Sequence, residues 1–248
     1  MRQLLSEILR FAELDYVQVV AELPQQLTDL VTPCDERGDL DYYAVDSGYV
    51  GRRIGAVDVL IQSIVAVGRD VRRKFIIQKI TTDLHQEARR NELRFAESLD
   101  ADVVLVDGPL TPYVNTAKVV GVSKDPRLVR YGPRIPERDK REVFMKLAKA
   151  IGERELASWL LSAAPPGSYL SPVDLGGFYG TFFKSDWVVY VEFPKHIDVK
   201  HLCTLFKRYP IRLRVAHHLA KISKEYLKSI NIIISSILRT SPRPRELL

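Results

Sequence analysis

Three apolar segments rich in β-branched residues stand almost end to end in the first third of the chain. They read YYAVDSGYV (42–50), GAVDVLIQSIVAVG (55–68) and KFIIQKI (74–80), parted by little more than Gly51-Arg52-Arg53 and Gly68-Arg69-Asp70. Parallel neighbours need a connection of a dozen or more residues, so segments this close pair antiparallel, as hairpins. TTDLHQEARRNELRFAESL (81–99) follows, with Asp83 and Gln86 in capping-box spacing, which starts a helix there and ends it near Leu99. ADVVLVDGPL (101–110) then has a continuous apolar run, Val103 to Val106, closed by Asp107-Gly108. A strand that follows a helix and is apolar on both faces lies parallel to an earlier strand.

AKVVGVSK (117–124) reads as a further strand, and 138–161 as one long amphipathic helix. GGFYGTFFKSDWVVYVEFP (176–194) reads as a hairpin that turns at Lys184-Ser185-Asp186, followed by helices over 198–209 and 211–230. Three antiparallel strands, a helix, a strand, a short turn, a strand and a helix is the order of the ribonuclease H-like fold. The expected architecture is α/β: a mixed five-stranded sheet flanked by helices, with an N-terminal helix (2–20) and a C-terminal hairpin and helices added. It is one domain over 1–248, with its core at about 40–160, an extension at 161–240 packed on it, and a flexible tail at 241–248.

The chain is long enough to bury a sizeable core, since 46% of its 248 residues are hydrophobic. Its formal charge of +6 and sequence pI of about 9.2 favour an anionic partner such as nucleic acid. No run reaches the roughly 18 apolar residues of a membrane span, and the first residues, MRQLLSEILRFAEL, lack a signal-peptide core. Cys34 and Cys203 have no motif spacing, so they suggest neither a disulfide framework nor a zinc site, and point to a reducing cytoplasm. Only three Asn stand beside many Arg, Lys and Glu, which leans towards a thermophile.

On the ribonuclease H-like topology Asp46 and Asp107 occupy adjacent central strands. In the helix from Asp83 to Leu99, the residues Leu84, Ala88, Ala96 and Leu99 mark one face, and Glu92 completes that stripe. A glutamate therefore interrupts the surface that packs on the sheet, while Glu87 and Glu97 read as solvated. Three converging carboxylates must protonate, borrow a Lys or Arg, or bind a divalent cation. Oxygen ligands in an open site suit Mg²⁺ or Mn²⁺, and two such ions about 3.5–4 Å apart serve phosphodiester cleavage. Each residue also has a plainer role. Asp46 before Ser47-Gly48 and Asp107 before Gly108 can be turn residues, and Glu92 can pair with Arg89 three positions earlier. Lys124 can be solvated, and Asp58 can join the cluster or face solvent. Pattern alone also leaves open which of His217 and His218 faces the core.

The stretches AVDSGYV, NELRFAESLDADVVLVDGPL, VVGVSKD and YPIRLRVAHHLAKISKEYL resemble, in order and spacing, the NurA family of archaeal and bacterial DNA-end-processing nucleases. The resemblance implies a ribonuclease H-like, Mn²⁺-dependent, sequence-independent DNA nuclease. It also implies a dimer that works with the hexameric HerA translocase in resecting DNA ends. On the matching positions, Asp46 resembles the first-motif metal ligand, Glu92 the helix glutamate, Asp107 the second aspartate and His217 the C-terminal active-site histidine. Lys124 falls in a recurring stretch and is expected at a phosphate. The first motif departs from the family's usual Asp-Gly-Ser, reading Asp46-Ser47-Gly48, where both small residues suggest clearance for a phosphate.

The expected function is a single-strand endonuclease and 5′–3′ exonuclease with a site of Asp46, Glu92, Asp107, His217 and Lys124. The alternatives are an ATP-dependent phosphotransferase on the same core, which DSGYVG loosely suggests, and a catalytically inactive DNA-binding scaffold. SINIIISSIL (229–238) is either a final core helix or a surface for a second copy or for HerA.

Overall fold

The computed structural model describes residues 25–238, apart from 36–37, 39, 55, 111–115, 125 and 127–128. The expected N-terminal helix over 2–20 and the tail over 241–248 lie outside the described residues. Helix α1 (Gln25–Thr28) and the short β1 (Val31–Thr32) lead into three long strands, β2 (Tyr42–Ile54), β3 (Val57–Val67) and β4 (Val71–Lys79). Helix α2 (Leu84–Glu97), β5 (Val103–Asp107) and β6 (Val119–Ser123) complete the core. Helices α3 (Arg138–Ile151) and α4 (Glu153–Leu160) follow, then β7 (Tyr169–Leu170), β8 (Val173–Asp174), β9 (Phe178–Lys184) and β10 (Val188–Pro194). The described chain ends with α5 (Val199–Leu205), α6 (Ile211–Ala220) and α7 (Lys224–Leu238).

The strands lie in the order β1-β7-β9-β10-β6-β5-β2-β3-β4, with β8 on β9. β2, β3 and β4 pair antiparallel, β5 runs parallel to β2 with Val45 opposite Val106, and β6 runs parallel to β5. This is the ribonuclease H-like arrangement the segment order predicted. The sheet does not stop at five strands, however. β10 pairs antiparallel with β6, so the C-terminal hairpin continues the sheet instead of sitting beside it. β6 is apolar on both faces and its outer edge is unpaired within the core, which makes it a template for another strand.

Period-two alternation sends the two faces of the strands to different helices. Tyr43, Val45, Val104 and Val106 pack with Leu93, Ala96 and Leu99 of the α2 region. Ala44, Leu105 and Val122 pack on the opposite side with Leu202, Phe206 and Leu213. Asp83 caps α2, its side chain accepting the Gln86 N–H at 2.9 Å, as the sequence indicated.

Four local expectations are corrected. The first segment does not end at Gly51-Arg52-Arg53: β2 runs through them to Ile54, so Asp46 is a mid-strand residue and its alternative reading as a turn residue falls. The helix expected over 138–161 breaks at Gly152, where φ is +95°. Beyond the break Glu153 is buried and accepts the backbone N–H groups of Arg130, Tyr131 and Gly132 at 3.0, 3.2 and 2.6 Å. The helix expected over 211–230 divides at 221–223, and Ser223 caps α7 by accepting the Tyr226 N–H at 3.1 Å. Glu87 is half-buried among Gln78, Thr82 and Arg90 instead of solvated.

The cysteines overturn a fifth expectation: Cys34 and Cys203 form a disulfide, with Cα atoms 5.6 Å apart and a sequence separation of 169. No local spacing could reveal it, because the fold alone brings the segment after β1 beside α5. Cross-linking so long a loop restricts the unfolded chain strongly. Reduction, or Cys34→Ser, is therefore expected to cost about 2–5 kcal/mol, or roughly 4–20 °C of melting temperature by calorimetry. An unchanged transition would remove the bridge from any stabilising role. Among the described residues no helix is long and apolar enough to cross a membrane.

Candidate metal centre

The central strands carry Asp46 and Asp107 to the same end of the sheet. Val45 faces Val106 across the parallel β2–β5 pair, so each aspartate is the next residue along its strand. The alternation that buries Ala44 and Leu105 towards α6 turns both carboxylates to that side as well. There α6 presents His217, whose Nδ1–H donates to Asp46 Oδ2 at 2.6 Å and lies 3.9 Å from Asp107 Oδ2. One ligand atom each from Asp46, Asp107 and His217 falls within 4.8 Å of the others. His217 is itself about half exposed, and His218, one step round the helix, lies outside this group. Asp58 faces solvent, as its strand position suggested.

The approach of α6 depends on Gly48. A Cβ there would come 2.5 Å from the Ala220 carbonyl oxygen, closer than any real contact. The small residue after Ser47 therefore makes room for the end of the helix that carries His217, and not for a phosphate.

Glu92 reaches the centre from the opposite face. It is 4% exposed on α2, and its carboxylate accepts from the Arg89 guanidinium and the Ser47 hydroxyl. It is not among the three residues within metal-sharing distance, but it lines the same cleft. The sheet explains the separation: Asp46 points towards α6, and Ser47, the next residue, points towards α2. Burial pushes the Glu92 carboxyl up to about 7, against the opposing charge of Arg89 and with the help of the negative Asp46. Burial also raises Asp46, reinforced by the charge of Asp107 and opposed by the Ser47 N–H and His217. Lys124 Nζ donates to Asp107 Oδ2 at 2.9 Å.

Several residues that sequence reasoning passed over hold this geometry. Arg89 donates to the carbonyls of Asp107 and Pro109, both at 2.7 Å, and so fastens the turn after β5 while it offsets Glu92. That turn needs Gly108, whose φ is +97°. Glu192, fully buried on β10, accepts the Leu110 N–H at 2.7 Å and the Arg130 guanidinium at 2.7 Å, fixing the same turn from the far side. Tyr209 stacks on Trp187 with ring centroids 4.9 Å apart, and Lys124 and Arg214 lie over its ring. Burial, then the charges of Asp107 and Asp46, raise the Tyr209 phenol and keep it protonated. Only Arg89 left a trace in the sequence, as a cation one helical turn from Glu92.

Two carboxylates and an imidazole in an open cleft match the donor preferences of Mn²⁺, and less closely of Mg²⁺, which takes fewer nitrogen ligands. Burial, and then the neighbouring carboxylate, makes Asp46 and Glu92 hold their protons more tightly than free carboxyls do, and a cation would relieve that cost, so the residues present fit the metal the sequence suggested.

Comparison with curated protein sequences yields no match. Among solved structures the chain is similar to the NurA nuclease from Sulfolobus solfataricus, at 14% identity and a TM-score of 0.57, over 96% of this chain and 98% of that one. It is similar to a second NurA structure at 9% identity and a TM-score of 0.63, over the whole of both chains. A NurA bound to dAMP and manganese aligns at 12% identity and a TM-score of 0.55, over 99% and 96% of the two chains. At such identities these likenesses speak for the fold. The sequence model of the NurA domain matches residues 40–222, from β2 to the end of α6 and hence every element that supplies the centre, and the chain belongs to the NurA family.

Proposed function

We propose that the protein is a metal-dependent DNA nuclease. The observation that carries this reading is the meeting of Asp46, Asp107 and His217 within 4.8 Å of one another on a ribonuclease H-like sheet. Asp46, Asp107 and His217 would hold a first Mn²⁺, and Glu92 would face a second on the α2 side of the cleft. Bound there, the metal would polarise the phosphate and make the attacking water more acidic by lowering its pKa. The Lys124 ammonium, beside Asp107, would donate to a phosphate oxygen when that carboxylate turns to metal. Glu92, which titrates near neutrality, is suited to take or return a proton during hydrolysis. Family membership and a manganese-bound relative support the choice of metal. Labelled DNA incubated with the protein should be cut with Mn²⁺ and spared with EDTA; binding without cleavage would mark the scaffold alternative instead.

The wider role we propose is single-strand endonuclease and 5′–3′ exonuclease action in the resection of double-strand breaks, in the cytoplasm, with a HerA-type hexameric ATPase. The family resemblance supports it. The Cys34–Cys203 bridge is compatible with a cytoplasm if the source is a hyperthermophile, since intracellular disulfides are common there.

A homodimer also belongs to this proposal. β4 ends the sheet, and its outward Val71, Phe75 and Ile77 are 60, 48 and 62% exposed. The Phe75 ring packs on Tyr226 of α7 at 5.4 Å, and Ile232 and Ile233 of the same helix are exposed as well. Ile230 of that helix is buried against Val59 and Ile61, so SINIIISSIL is partly core and partly open surface. An apolar edge strand beside an apolar helix suits a second copy of itself about a two-fold axis. Ile77→Lys should halve the mass seen by light scattering at micromolar concentration while leaving the melting temperature of the folded unit in place. An unchanged mass would count against this face.

A further inference from the structure

The carboxylates occupy the buried end of a cleft of about 280 Å³, and its exposed end is lined by Tyr49 and His85. Tyr49 stands three residues beyond Asp46 on β2, and His85 lies in the first turn of α2. The Tyr49 hydroxyl and the Nδ1 of His85 are hydrogen-bonded at 2.6 Å, and the rings meet edge to face, 5.6 Å apart at 80°. That bond engages edge atoms and fixes the ring orientations, leaving Tyr49 37% exposed. Its neighbour across the β2–β3 pair is Gln62, which is buried and donates to the Ala88 carbonyl, so Tyr49 does not extend an apolar core. An oriented aromatic pair at the mouth of a cleft that ends in acidic ligands is a feature that core packing does not account for.

We propose that the Tyr49 ring, oriented by His85, forms a shelf that takes the nucleobase of the nucleotide carrying the cleaved phosphate. The proposal rests on the nuclease reading above and deepens it. Stacking on an aromatic face tolerates any base, as a sequence-independent enzyme requires. At about 280 Å³ the cleft lies just below the usual range of small-molecule sites, about 300–1,000 Å³, a size that suits one nucleotide.

The test compares two oligonucleotides of equal length, oligodeoxythymidylate and a base-free phosphodiester of the same charge. Binding is measured with Ca²⁺ in place of Mn²⁺ to prevent turnover. Tyr49→Ala should weaken binding of oligodeoxythymidylate by about tenfold, the effect of one stacked base, and leave the base-free strand unaffected. Tyr49→Phe keeps the ring and should bind within about twofold of the wild type. Equal losses on both strands would overturn the proposal, because the residue would then act through the fold or the phosphates. So would no loss on either, with wild-type binding intact. A wild type that neither binds nor cuts DNA would bring down the nuclease reading itself, and this shelf with it.

Discussion

Asp46→Asn lowers Mn²⁺-dependent cleavage by at least about a thousandfold while the protein stays folded, if the centre works as proposed. The substitution keeps the shape of the side chain. An amide can still accept the Ser47 N–H that Asp46 Oδ1 accepts at 2.7 Å. What it removes is the negative charge that faces both His217 and Asp107. Losing that charge relieves a crowded acid, so the metal-free melting temperature should hold or rise slightly. Stability and activity therefore move apart, which separates loss of a ligand from loss of the fold. Asp107→Asn should act in the same direction, with a release of Lys124 as a secondary effect. Full cleavage by either variant would remove that aspartate from the chemistry.

The second large effect is on stability, and its sign runs opposite to that of an ordinary paired carboxylate. Burial raises the Glu92 carboxyl from 4.5 to about 7, so the native state holds its proton more tightly than the unfolded chain does. The stabilisation is fully present below the unfolded value and is lost as pH rises through about 7. Over that window the metal-free protein is expected to lose up to about 3 kcal/mol, or roughly 6–12 °C in melting temperature. Asp46, also raised, adds to the same trend. Asp70 and Asp174, held low by Tyr43 and Lys195, contribute the opposite slope. The informative quantity is thus the difference between the wild type and Glu92→Gln, followed in EDTA from pH 4.5 to 8. The glutamine variant should gain on the wild type as pH rises; parallel curves would refute the proposed burden on Glu92.

Much of this architecture was legible as periodicity and gap length. Two-residue alternation and short connections imply hairpins, and a doubly apolar run after a helix implies a parallel strand; both hold in β2–β5. The helix stripe through Ala88 and Ala96 pointed Glu92 at the sheet, where it is buried. The stripe could not show which face of the sheet it meets, because that depends on the register of β2 against α2. Asp46 and Glu92 consequently approach from opposite sides. The continuation of the sheet through β10 was hidden because a hairpin reads the same whether its edge is paired or free. Gly152 was hidden for a related reason. Its break is driven by Glu153 reaching three backbone N–H groups some 20 residues upstream, a contact of the tertiary fold. Choosing His217 over His218 required the way α6 rests on Gly48, and Cys34–Cys203 required the whole chain.

The distance in sequence between Asp46 and His217, 171 residues, has a bearing on how the protein is made. Synthesis runs from the N-terminus and upstream parts can fold first. β2 to β5 can assemble and bring both aspartates together when little more than the first 110 residues exist. The imidazole arrives only after β9 and β10 have joined the sheet and α6 has settled on β2. A nascent chain on the ribosome therefore carries an incomplete set of ligands until its last quarter emerges. If the centre cuts nucleic acid, this order of assembly withholds that power from every copy truncated before α6, a safeguard written into the connectivity.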